Sequence, residues 1–62
     1  MGTIAVEDVK VGDLVLDDNN AFVRVVRTSN DYRSRTTKIV LEDGQEEIIP
    51  MGYMVTIEKM RI

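Results

Sequence analysis

Two clusters of turn-forming residues cut this chain into short segments, and that punctuation constrains the fold more than any other feature. Asp17-Asp18-Asn19-Asn20 is a run of four residues whose side chains bond their own backbone and tolerate left-handed conformations. Asp43-Gly44 has the residue types of a two-residue type I′ hairpin. The segments between these turns are rich in Val, Ile and Thr, and apolar residues recur at every second position. Ala21, Val23 and Val25 share one side; so do Thr37, Ile39 and Leu41, and so do Val55 and Ile57. Period two with β-branched residues specifies strands, not helices.

The pattern predicts five strands, over residues 14–17, 21–28, 36–43, 45–49 and 54–59. Residues 3–11 read as an extended lead-in with a turn at Glu7-Asp8. Residues 29–35 form the longest polar segment and read as a loop. In the second strand Phe22, Arg24 and Val26 oppose Ala21, Val23 and Val25, so both faces carry apolar residues. That predicts a long strand that bends, its halves lining different sides of a closed sheet. Pro50 is expected to end the fourth strand because it has no N–H to donate. Residues 50–53 then make a tight, 3₁₀-like turn before the last strand. Closure would remove exposed edges. The expectation is an all-β fold: one domain over residues 1–62, a closed or half-closed five-stranded SH3-like barrel.

Composition narrows the chemistry. The 62 residues include no Cys and no His. A chain of this size buries only about 60% of its unfolded surface. Here packing, with or without self-association, must hold it together, without disulfides or thiolate and imidazole metal sites. The usual general base at neutral pH is His, and Ser29 and Ser34 have no base to activate them. The carboxylate pairs Asp17-Asp18, Glu42-Asp43 and Glu46-Glu47 lie in or beside turns and read as solvated turn residues. Gly12, Gly44 and Gly52 are dispersed and form no phosphate loop. The chain is therefore expected to be no enzyme and to need no cofactor or metal. No apolar run exceeds three residues, and the first residues lack the basic and apolar blocks of a signal peptide. A cytoplasmic location is the expectation.

Charge is the one compositional feature with functional content. Residues 1–20 hold five acids and one base, residues 21–38 five bases and one acid, residues 39–62 five acids and two bases. The candidate partner-binding residues are the central set: Arg24, Arg27, Arg33, Arg35 and Lys38, with Tyr32 among them. Simple alternation puts Arg24 and Arg27 on opposite faces; a bulge between them would bring them together, and the loop residues would converge near Arg27. The plainer reading is a solvated set paired with Glu42, Glu46 and Glu47 across neighbouring strands. A second candidate is an apolar interface of Met51, Tyr53, Met54 and Met60, with Ile62, since surface Met adapts to varied partners. The leading expectation is a non-catalytic module that binds another protein. The alternative is nucleic acid bound through the basic residues of 24–38, although three aromatics in the chain are few for a stacking platform. A third reading is self-association through an exposed strand.

The stretches DVKVGDLVLDDNNAFVRVVR, KIVLEDGQEEIIP and YMVTIEK resemble small single-domain proteins of actinobacteria and their phages, a largely uncharacterised group. The resemblance spans nearly the whole chain. It implies an SH3-like barrel in a phage-encoded or bacterial accessory protein, and implies no activity. VKVGDLVL is also similar to the early strand of Hint domains, but their nucleophile and downstream His residues are missing. The same stretch is similar to KOW motifs, whose mid-strand glycine is replaced here in the region of Arg24, Val25 and Val26.

Overall fold

The computed structural model describes residues 2–58. Six strands pair antiparallel in one sheet: β1 (Gly2–Ala5), β2 (Leu14–Leu16), β3 (Phe22–Asp31), β4 (Thr36–Leu41), β5 (Glu46–Pro50) and β6 (Met54–Glu58). Their order across the sheet is β1-β6-β2-β3-β4-β5. The fold is all-β, as the alternation requires, but the expected five-stranded barrel, closed or half-closed, is corrected on two counts. The lead-in supplies a sixth strand, β1, whose partner β6 lies at the other end of the described chain. The sheet is also open, because β1 and β5 stand at its two edges and do not pair with each other.

Although open, the sheet buries a single core on one face. Val9, Val15, Val25, Ile39, Leu41 and Ile57 pack together, flanked by Ile4, Val23, Ile49 and Val55. A flat sheet has nothing to bury that face against, so residues of β2, β4 and β6 can meet only because the sheet curls. The radius of gyration is 10.8 Å, close to the roughly 10.6 Å expected of a compact chain this long.

β3 is the bent strand that two apolar faces demanded. Its first residues pair with β2, and Val25–Asp31 pair with β4. Val25 faces Leu41 and Arg27 faces Val40, so Val26 is an unpaired bulge residue, 45% exposed. β3 also runs through Asp31, three residues beyond the expected strand. The loop that was expected over residues 29–35 contracts to residues 32–35.

The turns differ from expectation in kind. Asp43-Gly44 is not a type I′ turn, since only Gly44 (φ 93°) has the left-handed backbone that type I′ requires at both central residues. Gly44 N–H donates to the Leu41 carbonyl (2.9 Å) and Leu41 N–H to that of Gln45 (2.8 Å). That is a three-residue loop: a type I turn followed by a left-handed residue. The β2–β3 hairpin repeats it, with Asn20 (φ 67°) in the left-handed position. Asn20 N–H donates to the Asp17 carbonyl (3.1 Å) and Asp17 N–H to that of Ala21 (2.9 Å).

Two further expectations are corrected. The 3₁₀ turn is Val6–Asp8, after β1; before the last strand there is a β-turn in which Tyr53 N–H donates to the Pro50 carbonyl at 3.3 Å. Pro50 does end the strand, but as the last residue of β5 rather than the first beyond it. Its nitrogen faces the open edge, where no ladder bond is missed.

Candidate functional site

Three connections meet at one end of the molecule: the 3₁₀ turn, the β3–β4 loop and the β5–β6 turn. Val6, fully buried, anchors the first, and its N–H donates to the Tyr53 carbonyl at 2.8 Å. Gly52 N–H donates to Glu7 Oε1 at 2.8 Å. Glu7 also receives its own N–H. These bonds favour the charged form, the Gly52 bond most, and hold the carboxyl below its ordinary pKa. Met51 N–H donates to the Arg35 carbonyl at 2.9 Å, which ties the loop to the turn.

Asn30 locks the arrangement. Its Oδ1 accepts the buried Thr37 hydroxyl at 2.8 Å, while its Nδ2 donates to the Glu7 carbonyl at 3.2 Å and reaches the Tyr32 hydroxyl at 3.4 Å. Asp31 Oδ1 accepts the N–H groups of Arg33 (3.0 Å) and Ser34 (3.4 Å) and so shapes the loop. Sequence reasoning missed Glu7, Asn30 and Thr37. The usable signal was Thr37 on a core-facing position, since a buried hydroxyl needs a partner.

On this framework side chains stand in solvent. Tyr32 is 73% exposed, Tyr53 63% and Met54 60%; Met51 is half-buried. Arg33 and Arg35 flank them, Arg35 at φ 58°. Two candidate sets that the sequence kept apart, the basic loop and the Met/Tyr edge, thus share one platform. Met60 and Ile62, and the expected end of the last strand at Lys59, lie outside the described residues.

Arg24 and Lys38 lie beside Arg27, whereas Arg33 and Arg35 go elsewhere, which corrects the expected convergence of the loop residues on Arg27. The bulge at Val26 does put Arg24 and Arg27 on the same, outer side of the sheet. The loop, however, begins beyond Asp31, about 13 Å along β3 from Arg27 at 3.3 Å per residue. Arg24 lies in a row with Leu14 and Glu58 on adjacent strands. Lys38, diagonal to Arg27 across the β3–β4 ladder, pairs with Glu46 at 3.2 Å, both side chains about half exposed. Near the platform, Glu7, Asp8 and Asp31 offset Arg33 and Arg35. The five cations do not form one field.

No protein-family model, curated protein or solved structure matches the chain.

The sequence's carboxylate pairs have local work: Asp17 Oδ1 accepts the N–H groups of Asn19 (2.9 Å) and Ala21 (3.0 Å), and Asp43 Oδ1 that of Gln45 (3.0 Å). A half-open groove of about 450 Å³, where β2, β3 and β6 meet, is lined by Lys10, Asp13, Arg24 and Glu58 around Val11 and Leu14. It carries both signs of charge. Among the described residues no helix is long and apolar enough to cross a membrane.

Proposed function

We propose that the protein is a non-catalytic interaction module that binds another protein through the platform of Tyr32, Arg33, Arg35, Met51, Tyr53 and Met54. One observation carries the reading: two tyrosines, and a methionine at the start of β6, are left mostly in solvent on or beside connections that backbone and side-chain bonds hold to one another. Tyr, Met and Arg are the residues enriched where proteins meet, and rigid presentation lowers the entropy cost of binding. We further infer an SH3-like barrel that is open along one side. The bent β3 shared between two halves of a curled sheet supports it. The resemblance to actinobacterial and phage proteins fits an accessory role in the cytoplasm.

Nucleic acid is disfavoured by the dispersal of the cations, since phosphate binding draws its strength from several contacts made together. The test is photo-crosslinking in nuclease-treated and untreated lysate, with benzoylphenylalanine replacing Tyr53 in one variant and the exposed Val11 in a control. The expected result is a discrete protein adduct from position 53 alone, insensitive to nuclease and lost when Arg33→Glu and Arg35→Glu are added. Equal labelling from both positions, or adducts that vanish with nuclease, would overturn the proposal.

A further inference from the structure

The free edge of β5 is a second surface, and its hydrogen bonding is fixed by the ladder beside it. Leu41 N–H donates to the Gln45 carbonyl, and Met51 N–H to that of Arg35. With the β4–β5 register, those bonds make residues 45, 47, 49 and 51 the ones whose main chain faces β4. Glu46, Ile48 and Pro50 therefore face the open edge. Pro50 has no N–H and its carbonyl is taken by Tyr53. Among the described residues no strand pairs with the N–H and C=O groups of Glu46 and Ile48, which remain for a further strand. Ile48, 68% exposed, stands on the outer side of that edge, and Glu47, half-buried, on the inner side.

A second copy fits this edge poorly. In the antiparallel register that uses all four free groups, Glu46 pairs with Ile48 of the other copy, and Glu47 comes directly opposite its own equivalent. Like charges opposite each other destabilise a sheet. Shifting the register to set Ile48 against Ile48 puts Glu46 opposite Pro50, which has no N–H to donate. Glu42 and Asp43 in the adjoining turn add to the negative charge, and Lys38 is paired with Glu46.

We infer that β5 accepts an extended basic segment of a protein partner as a seventh strand, with a Lys or Arg opposite Glu47 and an apolar residue opposite Ile48. Main-chain bonds to Glu46 and Ile48 supply the docking, and the alternating side chains supply the selectivity. The surface is independent of the tyrosine platform.

The probe is the peptide acetyl-Thr-Val-Lys-Val-Thr-amide, compared with its Lys-to-Glu analogue by amide NMR titration of the whole protein. The expected result is that the Glu46 and Ile48 amides shift and exchange more slowly, with the Lys peptide bound about two- to fivefold more tightly. Glu47→Lys should reverse the preference, and its own spectrum reports whether it folds. Equal binding of the two peptides, no binding, shifts confined to the platform, or the same amides shifting on concentration of the protein alone would each overturn the inference. The last would assign the edge to a second copy.

Discussion

Glu7 shows how one half-buried carboxylate can organise a surface. It sits in a turn of three residues, yet its side chain holds Gly52 and its main chain holds Asn30. Its folded pKa lies below the ordinary value of 4.5 because the carboxylate is what accepts the N–H groups. A depressed carboxyl pKa adds stability that is fully present above the unfolded value and is lost as pH falls through the folded one. Glu7→Gln should therefore lower stability at pH 7, and the deficit should shrink in acid as the native carboxylate is itself protonated. Urea unfolding of both proteins at pH 7 and pH 3 checks this. A deficit that is equal at both values would show that the negative charge is irrelevant. Asn30 and Thr37 work at the same scale but carry no charge, so no such pH dependence is expected of them.

Among the elements, the β2–β3 and β4–β5 hairpins use one turn design with different residues in its left-handed position. An L side chain there costs about 1–2 kcal/mol, and Asn relieves part of it by local bonding. Gly44→Ala should lose about 1 kcal/mol, whereas Asn20→Gly should be neutral or slightly stabilising; equilibrium denaturation of both variants measures the contrast. The sequence made the inner faces of β3, β4 and β6 legible because alternation at period two survives in any sheet. It made the turn positions legible for the same local reason. The turn type was not, since Asp-Gly suits both a two-residue loop and a type I turn with Gly after it, and only the bonds from Leu41 and Gly44 distinguish them. β1 stayed hidden because a strand of four residues owes its existence to β6, and no local pattern announces a partner so far along the chain. The site was half legible. Exposed Tyr and Arg could be named from sequence, but their assembly depends on Asn30 reaching Glu7 across 23 positions.

For the molecule as a whole, β4 separates two unlike ends. The platform with Tyr32 and Tyr53 lies where β4 begins, and the acidic turn of Glu42 and Asp43 where it ends. The chain thus offers an aromatic end and, along its β5 edge, an acidic one. The path of the chain adds a kinetic consequence. β2 to β5 form a meander joined by loops of three and four residues, whereas β1 meets β6 with Gly2 opposite Ile57, across 55 positions. Closing the longer span costs more chain entropy before any contact rewards it. The meander is then expected to be the folding nucleus, with the β1–β6 clasp forming after the barrier. In stopped-flow chevrons, Ile39→Val should mainly slow refolding and Ile4→Val should mainly speed unfolding. The opposite pattern would place the clasp first. If the clasp is late, it is also the first part to release, and the lifetime of the native state is set at the junction of the first and last strands rather than in the hairpins.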